Sequence, residues 1–292
     1  MTEASAPVET GITPRNLQFD FNEDLPLDWH SGDPAITHLY DALSLTFPEG
    51  EKFFVDSVRH YEDRITDPVL KARVRDFIQQ EAIHAREHRS YNKLLARHGV
   101  DTSFVDWLMK HGVGAMRRMP AKFQLAVTCA DEHLTALFAE AILSDPRIMK
   151  EAHPFYQDLW RWHAMEEEEH KSVAYDVYQT VSGGVGGYFL RIAAMLFVAQ
   201  DILIGIPLMQ IHLMRKRGQL FNWASWRNAA RHMWVSPGIW RRLCVGILDY
   251  YRPGFHPDQR DCGPEVAKWR ALYVETKKRE AVTHPQLFAA DG

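Results

Sequence analysis

The chain has 292 residues, of which 46% are hydrophobic and 25% charged, so a sizeable core is available and wholesale disorder is excluded. Its net charge of -4 gives no general reason to bind nucleic acid, and we expect none. Three dispersed cysteines without a CxxC pair exclude a disulfide framework and a thiolate zinc site. The polar first 30 residues lack a secretory signal, which predicts a cytoplasmic protein.

The predicted elements are helical from residue 33 onward, with no strand-like alternation before the glycine-rich run at 182–187. Residues 1–33 lack periodicity and are expected to form an extended arm. The predicted helices cover residues 48–65, 68–97, 104–110, 120–144 and 153–180. We therefore expect an all-α fold, with a helical bundle over residues 34–182 and a helical extension over 183–292.

Two predicted helices carry the same motif, Glu-x-x-His. Glu81 and His84 lie on the second helix, and Glu167 and His170 lie on the one that begins near residue 153. A spacing of three places both side chains on one helix face, and here that face is otherwise apolar. Charged groups on an apolar face are costly unless they are paired or bind metal, so the repeated motif indicates a metal site.

Two further carboxylates are expected from the other two long helices. Glu132 lies on the apolar face of the helix at 120–144, and Glu51 lies near the start of the helix at 48–65. In two antiparallel helical hairpins, Glu51 reaches the level of Glu81, and Glu132 reaches the level of Glu167. One Glu from each of two helices and Glu-x-x-His from each of the other two is the pattern of a ferritin-like four-helix bundle with two metal ions.

Further polar groups accompany these six predicted ligands. His163 precedes Glu167 by four residues, and His88 follows His84 by four. Either could be an extra ligand or an outer partner of the site, with His163 favoured as a seventh ligand and His88 as an outer partner. Glu166 is an alternative to Glu167 or an outer partner of the site. Otherwise Glu166, Glu168 and Glu169 are expected on a solvated face.

Four stretches of this sequence carry a family resemblance: residues 47–51, 80–88, 131–133 and 162–170. They resemble the bacterial family named "predicted metal-dependent hydrolases", and residues 251–257 are similar to its C-terminal signature. The resemblance covers about residues 35–260. The order His163-x3-Glu167-x2-His170 also resembles the p-aminobenzoate N-oxygenase family. That second resemblance implies His163 as a third histidine ligand of a di-iron site.

The extension contains an apolar segment, residues 192–214, which is long enough to span a bilayer. Asp201 makes spanning costly, and a buried core helix is the alternative. Residues 215–242 carry seven Arg or Lys, four Trp and no acid, a composition that suits an anionic interface. The segment 192–242 therefore predicts peripheral membrane contact, on the inner membrane face, without spanning.

The leading functional hypothesis is a di-iron enzyme that uses O2 and an electron donor on a small or hydrophobic organic substrate. We expect two metal ions, with iron favoured and manganese or zinc as alternatives. The second hypothesis is a hydrolase with a metal-activated water. An iron-storage or structural bundle ranks third. A homodimer is an open expectation.

Overall fold

The computed structural model describes residues 10–272, and the described chain is helical without any strand. Its one β-type contact is an isolated bridge between His30 and Ala152. Residues 263–272 are helical as well. The all-α prediction is therefore confirmed for this part of the chain. In chain order the α-helices are α1 (Pro34–Arg59), α2 (Pro68–Arg97), α3 (Ser103–Met116), α4 (Ala121–Ser144), α5 (Pro154–His170), α6 (Val173–Val181), α7 (Gly184–Gln200), α8 (Ile206–Lys216), α9 (Trp223–Ala230) and α10 (Ile239–Tyr250).

Helix α1 begins at Pro34, and the predicted start near residue 48 is wrong. Asp33 caps the helix by accepting hydrogen bonds from the backbone N–H groups of Ala35 and Ile36. Pro48 lies inside the helix. Every residue from 35 to 45 is buried, so this half of α1 has no polar face and shows no amphipathic period. Pro48 therefore resembles a helix start in the sequence although it lies inside α1.

The remaining long helices begin and end close to the predicted residues. Asp67 caps α2, Pro68 occupies its first turn, and Gly99 follows its end in a left-handed conformation. Helix α3 is longer than the predicted 104–110. The predicted helix at 153–180 is interrupted by a turn at Lys171 and Ser172, which separates α5 from α6.

Two helical hairpins form the centre of the molecule. Helix α1 packs against α2, and α4 packs against α5, while α6 packs against both α2 and α4. The connection from α2 to α4 contains α3, which covers one side of α1. This arrangement leaves α1, α2, α4 and α5 around a shared interior, which holds the predicted metal ligands.

The C-terminal helices pack on the outside of α1 and α4. A π-helical turn, Asp201–Gly205, joins α7 to α8, so the backbone is helical from residue 184 to 216. Helix α7 and helix α10 contact α4, and helices α8 and α9 contact α1. Met195 and Leu213 belong to the same hydrophobic core as the central helices. The predicted division at residue 183 stays a prediction.

The described part of the N-terminal arm, residues 10–33, runs over the central helices without regular secondary structure. Its side chains Phe21 and Trp29 are buried, and Trp29 stacks on Tyr156 of α5 with ring centroids 4.3 Å apart. The predicted arm over residues 1–9 lies outside the described residues. Aromatic contacts therefore attach this segment to the face of α5 that lies next to the site.

Candidate metal centre

Four helices each place one glutamate in the shared interior, and two of them add a histidine. Because Glu81 and His84 are three residues apart on α2, both face inward, and the same holds for Glu167 and His170 on α5. His163 lies one turn earlier on α5. All seven predicted ligands are buried, and the structure brings them together: Glu51, Glu81, His84, Glu132, His163, Glu167 and His170.

The side chains form two groups that share Glu81, one around His170 and one around His84. Nε2 of His170 lies 3.1 Å from Oε1 of Glu81 and 3.4 Å from Oε2 of Glu132. Nδ1 of His84 lies 3.9 Å from the same oxygen of Glu81 and 3.6 Å from Oε1 of Glu167. In four triplets the candidate ligand atoms lie within 4.8 Å of one another: Glu81, Glu132 and His170; Glu51, Glu81 and His84; His84, His163 and Glu167; Glu51, His88 and His163.

Seven buried atoms in this cluster have no hydrogen-bond partner of acceptable geometry within residues 10–272. They are both carboxylate oxygens of Glu51, Glu81 and Glu132, and Nδ1 of His84. The short approach of His170 to Glu81 brings opposite charges together but does not meet hydrogen-bond geometry. Buried carboxylates without donors cost several kcal/mol, roughly, unless a cation lies among them. The oxygen and imidazole donors suit iron, manganese or zinc. The residues present therefore fit a metal site.

The ionisation of the cluster is strongly perturbed. Burial raises the pKa of Glu51, Glu81 and Glu132 well above the usual value, and the neighbouring carboxylates raise it further. Burial would also raise the pKa of Glu167, but His170 and His163 outweigh it and hold that pKa well below the usual value. Burial, with His163 nearby, lowers the pKa of His84 well below its usual value. A neutral imidazole is the form that binds metal.

The two histidines of the motif are held from outside the cluster. Nε2 of His84 lies 3.1 Å from Oε2 of Glu166, and Nδ1 of His170 lies 3.0 Å from Oε1 of Gln80. Each partner fixes the ring so that its other nitrogen faces the carboxylates. The structure thus places Glu167 in the cluster and Glu166 outside it.

The predicted solvated face of α5 is wrong. Glu166 and Glu168 are buried, and the side chain of Glu169 is enclosed. Arg15 of the arm lies 3.0 Å from Glu166 and 2.8 Å from Glu169. The arm covers this face of α5, which the helical period of α5 alone could not reveal.

Sequence reasoning missed Gln80 and Arg15 as supports of the site. Nε2 of Gln80 donates to Oε2 of Glu169 at 2.9 Å, while its oxygen faces His170. Gln80 therefore connects a buried ion pair to a candidate ligand. The available signal was a glutamine on the apolar side of α2, directly before Glu81. Arg15 lies in an aperiodic segment and offered no signal.

A second chain of polar groups leads away from the cluster through two histidines. Nε2 of His163 lies 2.7 Å from Oε1 of Glu167, and its Nδ1 lies 2.7 Å from Nε2 of His88. Nδ1 of His88 pairs with Oγ of Ser44 at 2.9 Å. His163 therefore contacts Glu167 directly. His88 contacts His163 on the side away from Glu167, and it also belongs to the triplet with Glu51 and His163.

One side of the cluster borders a cavity of about 510 Å³, an ordinary size for a small-molecule site. Glu51, His163 and Glu167 form its polar end. Most of the remaining wall is apolar and comes from α1, α3, α4, α5, α7, α8 and α10. Asp131 and Asp201 also line it, and burial, with Asp201 nearby, raises the pKa of Asp131 well above its usual value. These two aspartates were not predicted as cavity residues.

A helical fold without strands over residues 10–272, with a buried carboxylate–histidine cluster, is typical of helical metal-binding proteins. Comparison of the sequence with known protein families identifies the family within this class. The sequence profile of a family described as "predicted metal-dependent hydrolase" matches residues 13–261, and the chain belongs to this family. No curated protein and no solved structure matches the chain. The predicted resemblance to this family is confirmed, and the one to p-aminobenzoate N-oxygenases stays a prediction.

Proposed function

We propose that the chain is a metal-dependent enzyme whose central helices form a ferritin-like bundle around two metal ions. The observation that carries the proposal is the set of buried, unpaired carboxylate oxygens on Glu51, Glu81 and Glu132. Glu81, Glu132 and His170 would hold one ion, and Glu51, His84 and His163 the other, with Glu167 between them. Iron is favoured, with manganese or zinc as alternatives.

Hydrolysis is the reaction that the family description favours. Bound metal ions would supply Lewis acidity and an activated water. The chain itself does three things for such a reaction. The apolar cavity binds the substrate and excludes bulk water, Glu51 and Glu167 define where the reacting group lies, and His163 and His88 hold one proton between Nδ1 and Nε2.

Oxidation with O2 is the second candidate, and the cavity wall favours it. No Lys, Arg, Asn, Gln or Ser lines the described cavity, so away from its polar end and the two aspartates only Thr46, Thr135 and buried tryptophan indoles could donate a side-chain hydrogen bond to a developing oxyanion. A small or hydrophobic substrate without a hydrolysable polar group fits this wall. An electron donor would then be required as a partner.

The deciding experiment uses freshly purified protein with its own metal. Release of product from ester and phosphoester substrates without O2 supports hydrolysis, and O2 uptake with an added reductant supports oxidation. His170→Ala should abolish either activity together with metal binding, whereas His60→Ala, an exposed histidine outside the site, should change neither. Full metal content in His170→Ala would contradict the ligand assignment.

A further inference from the structure

The helical run from α7 to α8 has one buried side and one exposed apolar side. Met195, Val198 and Leu213 are buried in the core with the central helices. On the exposed side, four residues are between 41% and 58% exposed and follow one another at near-helical spacing. We call these four residues the outer stripe: Phe197, Ile204, Leu208 and Ile211. Arg215 follows Ile211 by four residues, and it too is exposed.

Helix α3 widens this apolar surface. Its Phe104 and Trp107 are exposed, and the ring of Phe104 lies 4.8 Å from the ring of His212 on α8. Two exposed aromatic side chains therefore adjoin the end of the outer stripe. A continuous exposed apolar surface of this kind marks an interaction site.

The cavity beside the metal cluster opens within this surface. Its exposed lining residues come from two places: Gly112, Ala115 and Met119 in or just after α3, and Phe197 and Asp201 at or just after the end of α7. Phe197 belongs to both the cavity wall and the outer stripe. The opening therefore lies between α3 and the outer stripe.

Apart from Asp201 at the opening itself, the charges around the opening are mainly positive. Residues 107–130 and 202–248 contain no Asp or Glu. Seven cations in these stretches are exposed and form no ion pair within the described residues: Lys110, Arg118, Lys122, Arg215, Arg227, Arg231 and Arg241. Of these, Lys110, Arg118 and Lys122 directly adjoin the cavity-lining residues Met109, Met119 and Phe123 in the chain. Lys216 and Arg217 differ, since they pair with Asp101 and Asp28. Exposed cations beside an apolar surface complement anionic lipid headgroups.

The packing argues against a spanning helix. The run Gly184–Lys216 has the length and composition to cross a bilayer. Its buried side, however, packs along α1 and α4. Spanning would carry these helices into hydrocarbon together with the charged outer side of α2, where Lys71, Arg75 and Lys93 are exposed. The surface is suited to lying on a membrane.

We propose that the outer stripe and the aromatic residues of α3 insert into the surface of an anionic bilayer, so that the cavity opens into its acyl-chain region. The substrate class follows from this placement and rests on the proposed function. It is an amphiphile dissolved in the membrane, whose hydrocarbon part enters the cavity while its reacting group meets the metal centre.

The test is sedimentation of the full chain with vesicles of phosphatidylglycerol and phosphatidylcholine. The double variant Ile204→Glu/Leu208→Glu places two carboxylates on the outer stripe and should weaken binding about tenfold or more. Val69→Glu on α2, where the valine is 43% exposed, is the matched control and should bind like the wild type. Bromine-labelled lipid should quench tryptophan fluorescence less in Trp107→Phe than in the wild type.

Wild-type protein that ignores anionic vesicles, or a double variant that binds them equally well, would overturn the proposal. So would light scattering that finds a dimer for the wild type and a monomer for the double variant, because a second copy would then cover the stripe. Metal content is measured on the same preparations. If the wild-type protein as purified contains no metal but still binds vesicles, the proposed function is contradicted and the proposed docking surface is not.

Discussion

Glu51, Glu81 and Glu132 show at the scale of single residues why the interior needs a cation. Each is buried without a hydrogen-bond donor in the described chain, and each lies near other carboxylates. Such a group must either bury its charge or take up a proton on folding, and both destabilise the metal-free fold. Glu167 escapes this cost because His163 and His170 hold it. The metal-free protein and the metal-bound protein should therefore respond oppositely to neutralisation of these residues.

Glu51→Gln tests whether the metal-free and the metal-bound protein respond in opposite directions. In chelator-treated protein the substitution should raise the free energy of unfolding by about 1–3 kcal/mol, because a buried ionisable group without a partner is removed. With metal present it should lower both stability and metal affinity. Urea unfolding with and without chelator measures both effects. Glu49→Gln, an exposed glutamate on the same helix, should change neither, and an equal effect at both positions would contradict the explanation.

The stability of the metal-free protein should fall as pH rises above about 6.5. The pKa values of Glu51, Glu81 and Glu132 are raised by burial, so the folded state holds protons that the unfolded state has lost. This contribution is present at low pH and is lost as pH rises through the folded pKa values. Below about 6.5 the lowered pKa values of His84 and His88 act in the opposite direction. Thermal unfolding of the metal-free protein between about pH 6.5 and 9 measures how its stability changes with pH. A stability that rises with pH in this range would contradict the explanation.

At the scale of helices, caps and prolines explain which helix ends the sequence predicts. Helix α2 begins and ends near the predicted residues because Asp67 caps it, Pro68 opens it and Gly99 follows it, and α4 does so because Pro120 and the pair Asp145-Pro146 flank it. The first half of α1 is buried on every side and gives no period, so its start was missed. The clustering of the candidate ligands was still predictable, because the level of two residues in antiparallel helices depends on their distance from the turn, not on where a helix starts.

Gln80 supports the site from outside the cluster, through its contact with His170. Gln80→Ala should weaken metal binding about 10- to 100-fold, because His170 loses the partner that orients its ring. Competition against a chromophoric chelator measures the affinity. Gln79→Ala, an exposed neighbour on α2, is the control and should leave the affinity unchanged. An unchanged affinity in both variants would mean that Gln80 does not position His170.

The contact of α10 with α4 leaves no room for a side chain at Gly246. A Cβ there would lie 2.4 Å from Cδ2 of Leu137, so Gly246→Ala should destabilise the protein by about 1–3 kcal/mol. At Gly114 in α3 nothing lies within 4 Å of an added Cβ, and Gly114→Ala should be neutral or slightly stabilising. Urea unfolding compares the two. A neutral Gly246→Ala would contradict the packing of α10.

At the scale of the whole molecule, the segments outside the central helices complete the site. The arm encloses Glu169 through Arg15, and α7 and α8 close the cavity beside Glu51. These contacts join segments that are far apart in the chain. No periodic pattern in the sequence therefore predicts them. The composition of residues 192–242 nevertheless indicated an unusual surface, and the exposed outer stripe lies within it.

The central claim, that this fold encloses a metal centre, is tested most directly by the metal content of the chain. Protein purified without added metal or chelator should contain about two metal ions per chain by elemental mass spectrometry. Protein stripped by chelator should regain them from iron, manganese or zinc and become more stable in proportion. A folded chain that holds no metal and takes up none of the three would contradict the account.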